Sequence, residues 1–216
     1  MGRKNRLPRF PFDYINDKAN EYDNSRWMER NQKRTTTLCI QYLFDENLNN
    51  DKLDGNQMGD PILVLDLGCG TGFSSEILTK NGFYVVGVDI LPDMIYKAKE
   101  KSKKIKRLML ILADINSLPI REKKIDHIIS VSSYNFIVHG KENYGEQVKL
   151  LNETAKSLGK ILKRKGRIII EFYPKDEQEL TKFNKSFIRN GFKGFMVKSN
   201  PNQKSGQTFL LLKKVN

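Results

Sequence analysis

The sequence from residue 62 to residue 72 reads Ile-Leu-Val-Leu-Asp-Leu-Gly-Cys-Gly-Thr-Gly, and this stretch decides the fold. It begins with an apolar run, Ile62 to Leu65, that has the character of a buried parallel strand. Gly68, Gly70 and Gly72 follow at alternate positions, and a helix-like stretch begins at Phe73. A strand that ends in glycines and re-enters a helix brings backbone N–H groups close to a ligand. The stretch therefore predicts a strand, a ligand-binding turn and a helix.

An acidic residue ends the next strand-like run, because Asp89 follows the apolar residues 84–88. A carboxylate in that place can accept hydrogen bonds from the ribose hydroxyls of a nucleoside cofactor. The glycine spacing is not the Gly-x-Gly-x-x-Gly of dinucleotide-binding proteins, and no Lys-Ser/Thr follows it as in a P-loop. A carboxylate at Asp66 would repel a pyrophosphate but suits a cationic or amino-bearing ligand. The pattern resembles the first motif of class I S-adenosylmethionine-dependent methyltransferases.

Length and composition bound the class of protein. The 216 residues are enough for one α/β domain with a real core. No apolar run is long enough to span a membrane, and the basic N-terminus lacks the apolar segment of a secretory signal. Cys39 and Cys69 are the only cysteines, so neither a disulfide framework nor a metal site is expected. These features predict a reducing, cytoplasmic setting.

The formal net charge of +13 has two interpretations. It can serve solubility through solvated lysine faces, or it can attract a polyanion, of which nucleic acid is the commonest. Clustering favours nucleic acid, because the basic residues crowd an N-terminal arm (Arg3, Lys4, Arg6 and Arg9), residues 97–107 and residues 160–167.

Strand-like and helix-like segments alternate regularly after residue 60, which predicts a parallel sheet with helices on both faces. We expect an N-terminal unit, residues 1–60, with a flexible or extended arm over residues 1–12 and helices that cover the site, and a single catalytic unit, residues 61–216. The predicted strands are 62–66, 84–89, 108–113, 126–131, 167–173, 192–198 and 208–213, the last two forming an antiparallel hairpin around Asn200-Pro201-Asn202. The predicted helices are 17–22, 25–44, 74–81, 92–103, about 144–163 and 176–190, with a loop over 47–60.

In such a sheet the ligand lies outside the carboxyl ends of the strands. Asp114 could accept a hydrogen bond from an adenine amino group while Ile90 and Ile115 pack on the adenine faces. Alternatively Asp114 caps a turn, the two isoleucines are ordinary core, and Ser130 is a strand-end hydroxyl. Taken together, their positions favour a cofactor pocket built from Asp66, Gly68, Cys69, Gly70, Gly72, Asp89, Ile90, Asp114, Ile115 and Ser130.

The fourth predicted strand bears on the methyl acceptor. Its end, Ser130 to Phe136, lacks the Asp/Asn-Pro-Pro-aromatic run usual in enzymes that methylate exocyclic amines, and it offers no nucleophilic cysteine. His127 and His139 are expected to be structural or on the surface. An aromatic nitrogen with a free lone pair, such as guanine N7, needs no general base, although other acceptors can also lack one. Catalysis would then rest on positioning and desolvation.

Several segments resemble one family, the small-subunit ribosomal RNA (guanine-N7)-methyltransferases. The similarity begins with Tyr14-Ile15-Asn16-Asp17-Lys18-Ala19-x-x-Tyr22-x-x-Ser25-Arg26, where Ile15 is an extra residue. It continues through Leu65 to Leu78, Asp89-Ile90-x-Pro92-x-Met94, Ile129 to Ser133, and Glu171-Phe172-Tyr173-Pro174-Lys175. The resemblance implies the class I methyltransferase, Rossmann-like fold with sheet order 3-2-1-4-5-7-6. It also implies S-adenosylmethionine as cofactor, ribosomal RNA as substrate and a role in ribosome biogenesis.

The chain departs from the family where Gln-Trp-Leu is common and Asn135-Phe136-Ile137 stands here. Asn135 keeps an amide and Phe136 an aromatic face, so both can still position the acceptor base. Tyr173 and Phe136 are possible platforms for a splayed-out base, and core packing is the alternative for each. Because eukaryotic members carry a basic C-terminal extension, an archaeal-type member is expected.

Family members typically need a small zinc-containing activator subunit. In the implied sheet order, the apolar strand Leu108 to Leu112 lies at the edge, where it can pair with another chain unless a part of this chain covers it. Two other functions stay open: a methyltransferase for a small molecule or a protein, and a largely non-catalytic ribosome assembly factor.

Overall fold

Seven strands form one sheet in the order β3-β2-β1-β4-β5-β7-β6, which is the order that the family resemblance implies. The computed structural model describes residues 9–48, 61–199 and 206–215. Its strands are β1 (Leu63–Leu67), β2 (Tyr84–Asp89), β3 (Leu108–Leu112), β4 (Ile125–Val131), β5 (Leu162–Phe172), β6 (Phe192–Lys198) and β7 (Thr208–Lys214). Its helices are α1 (Asp17–Asp23), α2 (Arg26–Leu43), α3 (Phe73–Lys80), α4 (Pro92–Ser102), α5 (Tyr144–Ile161) and α6 (Glu177–Arg189).

The first five strands are mutually parallel, and β7 runs antiparallel to both of its neighbours. Parallel pairing brings the carboxyl ends of β1, β2, β4 and β5 to one edge of the sheet. The segments that follow these strands, which include the glycine-rich stretch, therefore meet at that edge.

Helices cover both faces of the sheet, so each face has its own core. On one face α5 and α6 contribute Leu151, Leu158, Phe183 and Phe187 to an apolar cluster. On the other face α2 and α3 contribute Cys39, Leu43 and Leu78. The strands between the two layers are almost continuously apolar, which is typical of a parallel sheet that is buried on both sides.

Polar side chains define where several helices begin. The Ser25 hydroxyl accepts from the Met28 amide at 3.3 Å and caps α2, and the Asp176 carboxylate accepts from the Glu179 amide at 2.7 Å and caps α6. Pro92 occupies the first turn of α4, where its missing N–H costs nothing. These local signals explain why the predicted helix bounds agree with the structure to within one or two residues.

The N-terminal residues pack against the sheet rather than standing apart from it. Arg167 donates to the carbonyl of Leu43 at the end of α2, and the Thr35 hydroxyl accepts from the Gln207 side chain at 2.6 Å. The predicted arm over residues 1–12 is wrong for its described part, since residues 9–14 form a turn and a 3-10 helix, Phe12–Tyr14. Residues 1–8, most of the predicted loop 47–60 and the hairpin turn at 200–202 lie outside the described residues.

The junction of α5 and β5 corrects two predicted bounds. The sequence predicts a helix to about residue 163 and a strand from residue 167, but α5 ends at Ile161 and β5 begins at Leu162. The register against β4 shifts after Leu162, and three exposed basic residues occupy the irregularity. A side chain at Gly166 would place its Cβ 2.3 Å from Leu162 Cγ, so only glycine fits where the strand folds over that leucine. The charged residues 163–165 interrupt the apolar pattern, so the sequence alone does not show that β5 begins at Leu162.

None of the helices in the described part of the chain combines the length and the apolar character that a membrane span requires.

Candidate functional site: a glycine bend facing two carboxylates

The glycine bend at the end of β1 is held by the neighbouring strands. The amides of Gly68 and Cys69 both donate to the carbonyl of Val88 in β2, at 2.8 and 2.9 Å. Gly68 has a φ of +75°, and a Cβ at this position would lie 2.3 Å from the Cβ of Ser133. Glycine is therefore required here both for backbone conformation and for the close approach of the segment after β4.

Gly70 marks the open side of the bend. Its φ is +54°, and a Cβ added to it would meet no atom within 4 Å. Its amide donates to Asp89 Oδ2 at 2.9 Å, while the Leu91 amide donates to Asp89 Oδ1 at 2.9 Å. Burial raises the pKa of Asp89, and these backbone donors oppose that rise. The structure thus brings Asp89 and the glycine bend together, as the sequence predicted.

Asp66 points into the protein beneath the bend. It is fully buried, and its Oδ2 accepts from the hydroxyls of Ser74 and Ser75 at 2.6 and 2.5 Å, at the start of α3. Its Oδ1 is buried without a hydrogen-bond partner among the described residues. Burial raises the pKa of Asp66 from 3.8 to about 6, against the effect of the two serine hydroxyls. One carboxylate oxygen therefore orients α3.

Two serine hydroxyls at the end of β4 connect this strand to the end of β1. Ser130 and Ser133 both donate to the carbonyl of Leu67, at 3.0 and 2.6 Å, and their oxygens lie 2.7 Å apart. Ser130 is fully buried, so its hydroxyl supports the glycine bend from behind. Ser132 between them has a φ of +56°, a strained value for a residue other than glycine.

The predicted adenine-binding residues lie at the ends of β2 and β3. The Ile90 side chain is 45% exposed, and Ile115 packs partly buried against the core on the α5 side. Asp114 is exposed, and its Oδ1 accepts from the backbone amide and the side-chain amide of Asn116 at 2.8 and 3.0 Å. This local turn corresponds to the alternative noted for Asp114, and its second oxygen has no partner among the described side chains.

Tyr173 is held from two sides at the end of β5. The Asn135 amide donates to the Tyr173 carbonyl at 2.9 Å and accepts from the Tyr173 amide at 3.2 Å. The Tyr173 hydroxyl donates to Glu171 Oε1 at 2.5 Å, yet the residue remains 41% exposed. Tyr173 therefore presents a fixed aromatic ring at the edge of the site. Asn135 holds the Tyr173 backbone, and Glu171 holds the hydroxyl of the ring.

Glu171 is a site residue that sequence reasoning did not single out. It is fully buried, and it accepts from the Ser132 hydroxyl and the Gln207 amide, both at 2.6 Å, in addition to Tyr173. Burial raises its pKa, and the three hydrogen bonds oppose that rise. The available signal was a single carboxylate within the apolar run of β5, where a charge is unexpected unless it has partners.

Aromatic residues of the N-terminal segment cover the site, and three of them were also missed. Phe10 stacks on Phe136 with ring centroids 4.9 Å apart, and Tyr14 meets Phe136 edge-on at 5.8 Å. Tyr22 stacks on Phe73 at 6.3 Å, and the carboxylates of Asp89 and Glu171 both contribute to its raised pKa, whose main cause is burial. The Tyr22 ring thus lies against the first residue of α3, directly after the glycine bend.

In the described part of the chain, neither histidine forms a hydrogen bond with the glycine bend or with Tyr173. Burial, with a contribution from Arg167, lowers the pKa of His127 to about 4, so its ring is neutral near pH 7 and accepts from the Arg167 amide at 3.3 Å. His139 is exposed beside Phe10. Within residues 9–48, 61–199 and 206–215, no group of three His, Cys, Asp or Glu side chains is placed to hold a metal ion.

Comparisons with known proteins agree with this geometry. A family model described as a methyltransferase domain matches residues 60–204. An 18S rRNA (guanine-N(7))-methyltransferase of Bos taurus is 32% identical over 152 residues, which are 70% of this chain and 53% of that protein. This chain spans about half the length of the first curated relatives that it matches.

Two solved structures have the same fold. The PH0226 protein of Pyrococcus horikoshii OT3 superposes with a TM-score of 0.65 at 23% identity, covering 94% of this chain and 95% of that chain. A chain from a Haloferax volcanii complex that contains the Trm112 methyltransferase activator gives a TM-score of 0.62 at 14% identity, covering 93% and 99%.

The raised pKa of Asp66 predicts a pH-dependent stability. The unfolded chain binds fewer protons than the folded chain between pH 3.8 and about 6, so the contribution of Asp66 to stability falls as pH rises through that window. Asp66→Asn stays neutral and can still accept from Ser74 and Ser75. We expect the free energy of unfolding of the wild type, measured relative to this variant, to fall by on the order of 3 kcal/mol between pH 4 and pH 7.

Urea unfolding at several pH values would measure this difference. Glu153→Gln, at an exposed position on α5, is the matched control and should show no such trend. A constant difference between wild type and Asp66→Asn across the range would contradict the assignment.

Proposed function

Because this chain belongs to the methyltransferase domain family, we propose that it transfers a methyl group from S-adenosylmethionine to N7 of a guanosine in small-subunit ribosomal RNA during ribosome biogenesis. One observation carries the proposal: a glycine bend tied to Asp89 lies at the same sheet edge as a rigidly held aromatic ring, Tyr173. The name of the bovine relative supports the choice of acceptor.

The residues present fit the cofactor. The space beside Gly70 leaves room for a ligand against the bend. Each Asp89 oxygen accepts one backbone donor and keeps a lone pair for a ribose hydroxyl. Asp89 and the buried Asp66 place negative charge where a cationic ligand would lie, and Ile90 offers an exposed apolar side chain for a base. When bound, S-adenosylmethionine supplies a methyl group attached to a positively charged sulfur.

On the acceptor side, the chain would orient a base rather than remove a proton from it. His127 accepts from the Arg167 amide, and N7 of guanine attacks through its own lone pair, so the proposed reaction requires no general base. Tyr173, held through its backbone by Asn135 and through its hydroxyl by Glu171, would stack on the base. Phe10, Tyr14 and Phe136 would exclude water, which favours transfer to a neutral nitrogen.

The residues before β1 complete this arrangement. We propose that residues 1–60 act as a cover for the cofactor and substrate side, while residues 61–216 form the catalytic unit. Support comes from Tyr22 and Tyr14, which pack over the site. A reducing, cytoplasmic setting suits Cys39 and Cys69, which are buried and unpaired.

N7-methylguanosine makes RNA sensitive to strand cleavage by borohydride and aniline. We expect ribosomal RNA from cells with the gene to show a cleavage stop in primer extension that is absent from cells without it. A gene encoding Asp89→Lys should fail to restore the stop, because the lysine repels the cationic cofactor. Glu153→Lys, with the same charge change at an exposed site on α5, should restore it.

Calorimetry on the same variants would separate the rival functions. Wild type and Glu153→Lys should bind S-adenosylmethionine, and Asp89→Lys should not. If Asp89→Lys restores neither the cleavage stop nor normal growth to cells without the gene, the non-catalytic role is excluded. If the same variant restores normal growth and ribosome assembly, an assembly factor is favoured. Binding without any change in ribosomal RNA would indicate another substrate.

The aromatic platform predicts a graded response at Tyr173. Tyr173→Ala removes the ring and should lower methyl transfer about 5- to 150-fold, because stacking on a base contributes about 1–3 kcal/mol. Tyr173→Phe keeps the ring and loses only the bond to Glu171, so it should retain more activity. Single-turnover rates measure this difference. Equal losses in both variants, or a parallel loss of cofactor binding, would instead indicate a structural role.

We also propose that a small zinc-containing activator subunit pairs with β3. Among the described residues this strand pairs with β2 alone, and Met109 and Leu112 on it are 62% and 54% exposed. An apolar edge strand of this kind suits pairing with another chain. The Haloferax volcanii complex is a precedent for such an assembly in a protein of the same fold.

Glutamates at both exposed positions, Met109 and Leu112, should abolish co-purification with the activator encoded in the same genome. Ile188→Glu, which changes a side chain that is 63% exposed on α6, is the control and should leave the complex intact. A chain that is monomeric, stable and fully active without any companion would contradict this proposal.

A further inference from the structure

The outward face of α2 carries an unpaired basic stripe that the methyl-transfer site does not use. Arg26, Arg30 and Arg34 are all exposed and recur every four residues. At about 100° per residue these positions fall on one side of the helix, opposite the buried residues Thr35 and Cys39. No described residue forms a hydrogen bond or an ion pair with these three guanidinium groups, so their charges are available to a ligand.

A groove between α2 and α3 concentrates this charge. Its lining comprises Arg26, Glu29, Arg30, Lys33, Arg34 and Ile77, together with Thr37, so four basic residues face a single acidic one. Glu29 is already paired with Lys33 at 2.7 Å, and Lys33 also binds Glu76 of α3 at 2.8 Å. Both carboxylates are therefore paired with Lys33, and the arginines set the net charge of the groove.

An aromatic side chain lies in the same stripe. Trp27 is the only tryptophan in the chain, and it is 67% exposed. It lies three residues before Arg30, so the two side chains are neighbours on the helix surface. A large exposed indole beside unpaired arginines is the combination that binds single-stranded nucleic acid, where bases stack on aromatic rings and phosphates pair with cations.

The stripe is connected to the catalytic side of the molecule. It begins four residues after Tyr22, whose ring stacks on Phe73 directly after the glycine bend. Asp23, next to Tyr22, pairs with Lys101, which in turn donates to Thr71 of the glycine bend at 3.3 Å. A strand whose target base reached the site would therefore pass close to the start of α2.

We propose that Arg26, Trp27, Arg30 and Arg34 form a binding surface for single-stranded RNA that flanks the modified nucleotide. The surface binds phosphates and stacks a base without contributing to the chemical step. It rests on the proposed RNA substrate, but its binding can be measured without methyl transfer.

Anisotropy of a fluorescein-labelled, unstructured oligoribonucleotide would measure binding to the full chain over a range of salt concentrations. Replacement of the three arginines by glutamine should weaken binding and reduce the slope of log K against log salt by about 2, since each phosphate contact contributes about 0.7 for a single strand. The matched control replaces Lys156, Lys185 and Arg189, which are exposed on α5 and α6 on the opposite face, and it should leave the slope unchanged.

Trp27 provides an independent readout because it is the sole tryptophan. Its fluorescence should be quenched by the unlabelled oligoribonucleotide, and Trp27→Ala should weaken binding about tenfold. Polyglutamate of equal charge should quench poorly. Equal quenching by polyglutamate, or an unchanged salt slope in the arginine variant, would overturn the proposal and indicate an acidic protein partner or no partner on this face.

The two proposals fail in different ways. Arginine-dependent RNA binding without a methylation mark on ribosomal RNA would refute the proposed reaction and leave this surface standing. A normal mark with the triple glutamine variant, together with unchanged RNA binding, would refute the surface and leave the reaction standing.

Discussion

The close approach of three strand ends at Gly68 is the constraint on which the site depends. The carbonyl of Leu67 accepts two serine hydroxyls from the β4 side, and the amides of Gly68 and Cys69 donate to the Val88 carbonyl on the β2 side. This lacing is possible only because no Cβ separates residue 68 from Ser133. With the bend fixed, Gly70 faces open space and its amide reaches Asp89.

Two buried carboxylates, Asp66 and Glu171, hold further elements in place around the bend. Asp66 accepts from two serine hydroxyls and sets the start of α3 directly after the bend. Glu171 accepts from Ser132, Gln207 and Tyr173 and so links the segment after β4, the approach to β7 and the exposed ring of Tyr173. Burying a carboxylate costs free energy unless donors surround it. The donors here come from separate parts of the chain, so each carboxylate joins elements that are distant in sequence.

The distribution of charge separates two kinds of ligand. Two carboxylates lie at the glycine bend, Asp89 beside it and Asp66 buried beneath it, although the chain as a whole carries a net charge of +13. Two grooves are lined largely by basic residues. One lies between α2 and α3, and the second is lined by Lys80, Lys101, Lys104, Lys106 and Arg107. The carboxylates at the bend would suit the proposed cationic cofactor, and the basic grooves would suit a polyanion that carries the acceptor.

The sequence by itself determined the order and type of nearly every element, because buried parallel strands appear as apolar runs. The alternate glycines also indicated a bend, since glycine adopts positive φ more readily than other residues. The sequence also predicted that Asp89 meets the glycines, since both follow adjacent strands. Only the tertiary structure decided the roles of Glu171, Tyr22 and Phe10, which lie far from the motif along the chain and reach it through packing. The same holds for Asn135, which binds the Tyr173 backbone, and for the early start of β5. Hydrogen bonds between distant segments leave no periodic trace in a sequence, and for this reason the local pattern could predict the pocket but not the side chains that close it.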